Sequence, residues 1–523
     1  MGNHLNPGNT LFQMSLNSKI YIDKTRLISY TNSVINTPQR FICVSRPRRF
    51  GKSVTAEMLA AYYGKNIDSS SQFHNLSIAR DASYQKHLNQ YNVIFLNIQK
   101  FLSQTHDISK MNTLIEKYLI RELLRDYPNI DYFDDTSLIG CLMDVFTAAK
   151  IPFVFIIDEW DCIFREYKTD TESQKLYLDF LRSVLKDQPY AALAYMTGIL
   201  PIKKYGTHSA LNMFDEFSMT NPGPLASFVG FTEDEVKALC ITYNMDFEEV
   251  KRLYDGYCFE GTTHIYNPRS VVSAMLTRSY DNFWNKTETF EALRDYIVLN
   301  YRGLRDTVTE LLAGTRKKIN TTAFTNDMTT FSSADDVLTL LIHLGYLGYD
   351  FKKKEVFIPN SEIASEFCNA VESARWENVT DAIKKSDALL AATINRDVSA
   401  VAAGLEAAHM ETSLLTYNDE NALSCTIALA YYCAREYYMP FREFPSGKGF
   451  ADIVYIPRKN HPDKPALVIE LKWDKSAQGA IQQIKNRCYV ESLKGYHGNL
   501  LLVGINYDQK TKKHQCLIEP YHK

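Results

Sequence analysis

The sequence contains no CxxC pair, and its ten cysteines are scattered over 523 residues. That spacing argues against a zinc ribbon and against a disulfide framework; reduced thiols in a cytoplasm, several buried as small hydrophobes, are expected instead. No apolar run approaches the ~18 residues that a bilayer span requires, so no membrane partner is expected. The stretch Met1-Gly2-Asn3-His4-Leu5-Asn6 has neither the basic nor the apolar region of a secretory signal. It also lacks the hydroxyl residue of a myristoylation signal. No internal repeat or low-complexity tract stands out. With 45% hydrophobic and 23% charged residues the chain reads as ordinary globular protein, and its length predicts three or four domains rather than one core.

A strong overall charge is also missing, but the net −3 is unevenly spread. Residues 440–523 hold 14 Lys/Arg against 8 Asp/Glu, and the rest of the chain 44 against 53. A basic C-terminal part on an acidic body is a weak pointer to a polyanion there. Solvated lysines are the plainer account, and charge alone favours it.

What is present is a set of apolar strands separated by helices. Arg40-Phe41-Ile42-Cys43-Val44 feeds a basic turn, Ser45-Arg46-Pro47-Arg48-Arg49-Phe50-Gly51-Lys52-Ser53, and a helical pattern leaves it through Val54-Thr55-Ala56. Strand, Gly-Lys-Ser turn and helix form the layout of a phosphate-binding loop. In such a loop the helix N-terminus faces the anion, the lysine reaches the terminal phosphates and the hydroxyl ligates magnesium. The usual pattern is GxxxxGK[ST], and Arg46 stands where its first glycine would be. Gly-Lys-Ser alone would read as a basic turn; the flanking strand and helix favour the nucleotide. Further strands at 91–98, 151–157 and 191–196, with helices at 111–126 and 137–149, predict a parallel sheet covered on both faces, an α/β domain. Residues 68–86 read as polar loop. Asp158-Glu159 ends the third strand, about a hundred residues after the loop. In P-loop ATPases such a strand lies beside the loop strand, its aspartate supports magnesium and a following glutamate polarises water. Thr197 ends the fourth strand, as a γ-phosphate contact or a plain polar strand end.

From residue 230 the pattern changes to short helices, one opened by Thr232-Glu233-Asp234-Glu235 with a cap and an acidic first turn, and the helical run extends to about 318. Residues 334–375 outline a winged helix: a helix at 334–344, a Gly345-Tyr346-Leu347-Gly348 turn and two short strands. Helices fill 360–408. The last part predicts a helix at 420–438, strands at 450–456, 466–472 and 499–505, and a helix at 477–492. Four domains follow: an ATPase core at 1–228, a helical lid at 229–318, a helical, winged-helix-like region at 319–408, and a final α/β domain at 409–523.

That final part carries a second constellation, Asp452 and Glu470-Leu471-Lys472. Residues i and i+2 of a strand share a face, so Glu470 and Lys472 lie together. With Asp452 from a neighbouring strand, Glu470 could hold Mg²⁺, and Lys472 could position water. On spacing alone, a surface Glu–Lys pair beside an unrelated aspartate is the more ordinary account.

Asp452, Glu470 and Lys472 on paired strands, followed by a helix bearing Gln483 and Tyr489, resemble the PD-(D/E)XK nuclease superfamily. The approach Glu443-Phe444-Pro445-Ser446-Gly447-Lys448-Gly449-Phe450-Ala451 is similar to the one before that family's first metal aspartate. Tyr21-Ile22-Asp23-Lys24-Thr25, the Arg46–Ser53 loop, Thr197-Gly198-Ile199-Leu200-Pro201, Tyr254-Asp255-Gly256-Tyr257 and Tyr266-Asn267-Pro268 resemble the AAA-ATPase-like family, found mainly in bacteria. Its members typically carry such a nuclease-like domain at the C-terminus.

The resemblance implies that Arg46, Arg49, Gly51, Lys52, Ser53 and Val54 bind ATP, with Ser53 and Asp158 at Mg²⁺, Glu159 as catalytic base and Thr197 as sensor. It implies a nuclease core of Asp452, Glu470 and Lys472, with metal on Asp452 and Glu470, Gln483 in support and Glu420 as the helix glutamate. It further implies a nucleic acid partner, DNA first, and leaves room for a homo-oligomer. Two departures stand out: Phe450-Ala451 replace the Gly-Arg frequent before the aspartate, and Asn97 ends its strand where an acid is common. The alternative function is a nucleotide-switched scaffold whose nuclease-like domain binds without cleaving.

Overall fold

The structure, a computed structural model, describes residues 2–202, 211–259, 264–284, 291–298, 301, 303–322, 324, 331–411, 420–446, 449–487, 489, 496 and 498–521. The chain forms two compact units, Met1–Glu288 with Lys318–Ile363, and Thr289–Lys317 with Ala364–Lys523.

The first unit is built on β1 (Phe41–Ser45), β2 (Asn92–Asn97), β3 (Phe153–Asp158), β4 (Ala191–Gly198) and β5 (Asp215–Phe217), ordered β2-β3-β4-β1-β5. Every pairing is parallel, and β1, β3 and β4 are buried end to end, as continuous apolar runs require when helices cover both faces. The α/β expectation holds. One detail is corrected: the Asp158 strand does not lie beside the loop strand, because β4 runs between them. Strand β5 gave no apolar signal, since Asp215-Glu216-Phe217 is short, polar and at the sheet edge.

Residues 68–86 hold three short helical turns, Ser70–Phe73, Ser77–Arg80 and Tyr84–His87, rather than plain loop. Asp68 accepts from Ser70 N and Asp81 from Ser83 N, local bonds that close turns without any apolar periodicity. Asp23 accepts from Thr25 N and Oγ1 through one oxygen and from Ser77 N through the other, fastening the start of the helix Arg26–Val34 to one of these turns. The helical run expected to about 318 is interrupted by β6 (Phe231–Thr232), β7 (Tyr257–Cys258) and β8 (His264–Tyr266), an antiparallel sheet ordered β6-β8-β7. Strands of two or three residues are too brief to show a period. Thr232 and Glu235 form the reciprocal cap read from the sequence. After β9 (Lys317–Lys318), the helix Ala334–Leu344 and the hairpin of β10 (Gly348–Asp350) with β11 (Glu355–Phe357) reproduce the predicted helix, turn and strand pair.

The second unit centres on β12 (Tyr438–Ser446), β13 (Gly449–Pro457), β14 (Ala466–Trp473), β15 (Leu500–Asp508) and β16 (Lys513–Tyr521), hydrogen-bonded in that order. Only β14 and β15 are parallel, and the helix Ala477–Asn486 makes their crossover. One face packs Leu467, Ile469 and Val503 against Leu405, Leu423 and Ile427 of preceding helices; the other packs Val468 and Leu502 against Ile481 and Ile484. Both outer strands were missed. β12 contains Pro440 and Pro445, which read as a break and are tolerated because it is an edge strand. The predicted 420–438 helix stops at Ala430 and resumes only for Ala434–Tyr437.

Candidate functional sites

In the first unit, β1 delivers the chain to a loop whose crest exposes Arg48 and Arg49. Gly51 has φ +89°, and a Cβ there would meet nothing within 4 Å, so conformation rather than space requires glycine. The helix Lys52–Tyr63 starts immediately, with no side-chain cap among the described residues, which leaves its first N–H groups for an anion or water. Lys52 is buried and donates from Nζ to Pro47 O at 2.9 Å. Burial pushes its ammonium down, against the pull of Glu159, Asp161 and Asp158.

Asp158 is the point on which the strand ends converge. Ser53 Oγ donates to its Oδ2 at 2.8 Å, Asn97 Nδ2 reaches the same oxygen at 3.2 Å, and Thr197 Oγ1 donates to Oδ1. The inserted strand β4 makes this convergence: Val44 pairs with Thr197 on one side, and Ile157 with Met196 on the other. Glu159 follows with φ +54° and takes Arg165 Nη2 at 2.5 Å. Burial raises its carboxyl while Lys52 and Arg165 oppose the rise. Arg165 also holds Asp161 at 3.2 Å, and Asp161 accepts from Ile199 N and Leu200 N, lacing the two strand ends together.

Arg46 turns inward. Its guanidinium is buried, donates to Ser45 O and Phe217 O on the β5 side of β1, and stacks over Phe259 at 4.9 Å. Burial lowers it to about 10. The structure therefore gathers Lys52, Ser53, Asp158, Glu159 and Thr197, and places Arg46 beneath the loop rather than at its crest. Val54 and Gly51 border a cavity of about 520 Å³ whose apolar walls include Ile20, Ile22, Phe50 and Phe231. Glu57 borders it too, and burial together with nearby Asp158 lifts its carboxyl to about 7.

In the second unit, Ile453 pairs with Ile469, and one further step on each strand brings Asp452 opposite Glu470. Asp452 Oδ2 accepts from Leu471 N at 2.6 Å. Glu470 is buried; Lys472 Nζ donates to its Oε1 at 2.8 Å, and Gln483 Nε2 reaches the same oxygen from the crossover helix. Its Oε2 is buried and has no hydrogen-bond partner among the described residues. Burial, then the charge of Asp452, raises this carboxyl to about 7. Gln483 also donates to Tyr489 Oη at 3.3 Å, and Arg487 donates to that hydroxyl at 3.3 Å. Glu420 begins the helix Glu420–Ala430, but its side chain lies outside the described residues.

Residues 10–207 match the family described as Predicted AAA-ATPase, and residues 419–516 match the PD-(D/E)XK nuclease superfamily. The chain joins an AAA-ATPase-like domain to a PD-(D/E)XK nuclease superfamily domain. Among curated proteins, an uncharacterized protein from the vnfD 5′ region of Azotobacter chroococcum mcd 1 is 25% identical over 286 residues, covering 53% of this chain and 52% of that protein. The chain thus spans about half the length of that relative. Among solved structures, Cdc6p from Pyrobaculum aerophilum gives 9% identity and a TM-score of 0.27, covering 70% of this chain and 98% of its own. The ORC2 protein of Aeropyrum pernix gives 12% identity and a TM-score of 0.27, covering 70% and 92%. Likenesses so low add nothing to the strand order itself.

The sequence did not single out Asp161, Arg165 or Glu57. Asp161, at the N-cap of the short helix Cys162–Glu166, and Arg165, in its last turn, lie four apart, a spacing that favours an ion pair on one helix face. Glu57 carries no such mark; only the fold brings it near Asp158.

Proposed function

We propose that this protein hydrolyses ATP in its AAA-ATPase-like domain and cleaves nucleic acid phosphodiester bonds in its nuclease-like domain, the second activity licensed by the nucleotide state of the first. The carrying observation is Glu470: a buried carboxylate with one oxygen held by Lys472 and Gln483 and the other without a partner among the described residues, opposite Asp452. A buried oxygen of this kind is costly unless a ligand satisfies it. Asp452 and Glu470 are hard oxygen donors of the type Mg²⁺ prefers, so the donor set fits that ion. When bound, Mg²⁺ would supply Lewis-acid stabilisation of charge on a phosphate oxygen. Lys472 keeps Glu470 oriented and supplies a positive charge toward the scissile group, and Gln483 fixes the same oxygen from the helix.

At the other site, Ser53 and Asp158 would hold the Mg²⁺ of Mg·ATP, Lys52 would turn from Pro47 O to the terminal phosphates, and Val54 with Gly51 would border the base in the apolar cavity. Glu159 would accept a proton from water, and Thr197 would sense the γ-phosphate. Arg49, exposed at the crest, would reach the phosphates, and Arg46 would brace the loop from below. The four-part division at 1–228, 229–318, 319–408 and 409–523 belongs to this proposal, as do a cytoplasmic setting, DNA as first substrate and a homo-oligomeric assembly.

The test is purified protein with labelled DNA or RNA, Mg²⁺ or Mn²⁺, with and without ATP. Divalent-dependent cleavage is expected, abolished in Glu470→Ala, with ATP turnover abolished in Lys52→Ala. Intact substrate across both nucleic acids and both metals, with ATP turnover preserved, would instead favour a nucleotide-switched scaffold.

A further inference from the structure

Beside Asp452 the hairpin of β12 and β13 exposes aromatic surface that neither the carboxylates nor the core uses. Phe450, two residues before Asp452, is 59% exposed, and Phe441 on β12 is 38% exposed. Phe441 stands edge-on to Phe444 with centroids 5.4 Å apart, so its ring is held in place at the surface. Phe441 pairs with Val454 and Phe450 with Pro445, so the two exposed rings stand on one hairpin, to either side of Asp452 along it. A partner strand fits β12 poorly, because Pro440 and Pro445 remove donors from that edge. Arg487, exposed at the end of the crossover helix, contacts the Tyr489 hydroxyl and lies close enough to Glu470 to lower its carboxyl. The surrounding residues 440–523 carry 14 positive against 8 negative side chains.

We propose that the nuclease-like domain takes single-stranded nucleic acid: the rings of Phe450 and Phe441 stack on unpaired bases, and Arg487 holds the backbone beside Glu470. The inference rests on the nuclease reading and names the substrate class. A duplex keeps its base faces inside the stack, whereas a single strand presents them to any aromatic surface beside a cationic path. Arg487 also supplies the cation that the Phe450-Ala451 replacement of Gly-Arg removes.

The full chain is titrated, with Ca²⁺ in place of Mg²⁺, against labelled oligonucleotides of about 20 residues, as single strand and as duplex, in DNA and in RNA, at fixed salt. Single strands are expected to bind at least ~10-fold more tightly than duplex, and the DNA and RNA arms identify the sugar. Phe450→Ala and Phe441→Ala should each weaken single-strand binding by about 5- to 10-fold and leave duplex binding unchanged, while Phe450→Trp retains affinity. Arg487→Ala should weaken binding at that salt and, with the titration repeated over a series of salt concentrations, show a shallower salt dependence than the parent. Duplex bound as tightly as single strand, or phenylalanine variants that bind like the parent, would overturn the proposal. Single-strand binding with these losses but no cleavage in Mg²⁺ or Mn²⁺ would remove the nuclease reading and leave this one standing. Cleavage of duplex with silent phenylalanine variants would do the reverse.

Discussion

Glu470 has one oxygen fixed by Lys472 and Gln483 and one left buried without a partner among the described residues, and the cost appears in its pKa of about 7. An unfolded glutamate titrates near 4.5. Between these values the folded protein holds a proton that the unfolded chain has released, so stability falls as pH rises from about 4.5 to 7 and the deficit persists above. Glu470→Gln is therefore expected to raise the metal-free unfolding temperature at pH 8 by ~2–4 °C, equivalent to about 1 kcal/mol, and to leave it unchanged near pH 4.5. Thermal melts of both proteins at the two pH values check this; equal melts at pH 8 would mean that burial of Glu470 costs nothing. Metal binding should weaken as pH falls below about 7, since the carboxyl must lose its proton first. Arg165 is ion-paired with Glu159 and Asp161, so Arg165→Ala is expected to act through Glu159 and to lower kcat for ATP by about tenfold with KM unchanged. A rise in KM alone would assign Arg165 to binding instead.

The loop is supported by elements that follow it by hundreds of residues. Gly345 caps the helix Ala334–Leu344 at φ +88°, and a Cβ there would come within 2.8 Å of the Pro47 ring. Tyr257 donates to Gly345 O at 2.5 Å and its ring meets Phe50 at 5.3 Å, so both ends of the loop rest on this corner. Gly345→Ala is expected to destabilise the unit by about 1–3 kcal/mol through backbone strain and crowding. It should also weaken ATP binding, because Pro47 must shift and Lys52 is tied to Pro47 O. Isothermal titration beside thermal melts separates the two effects; full ATP affinity in a destabilised variant would show that Pro47 does not transmit the strain. At this scale the helix Ala334–Leu344 and its hairpin were legible from their periods and Gly345, whereas β5, β7, β8 and β12 were not. Those strands are short, polar or broken by proline, and only partners far away in sequence hold them extended.

Two compact units with separate cores lead to an expectation for the whole molecule. Calorimetry should resolve two transitions, with Mg·ATP raising one and divalent cation without nucleotide raising the other. Saturation at about 100 times the dissociation constant would add ~2.7 kcal/mol to the unit that binds. Lys52→Ala should abolish the first shift and keep the second. A single transition moved by either ligand would show that the units unfold as one.

The sequence by itself determined the parallel α/β class, the Gly51-Lys52-Ser53 turn, the strand-end Asp158-Glu159 and the Glu470-Leu471-Lys472 spacing, because each is a local pattern of period, turn chemistry or i, i+2 geometry. The tertiary structure decided the rest. It inserted β4 between β1 and β3, so that Asp158 collects Ser53, Asn97 and Thr197. It turned Arg46 under the loop toward Phe217 and Phe259, and it left one oxygen of Glu470 buried without a partner among the described residues. Strand order, side-chain burial and hydrogen-bond satisfaction depend on residues distant in the chain, and no local pattern encodes them.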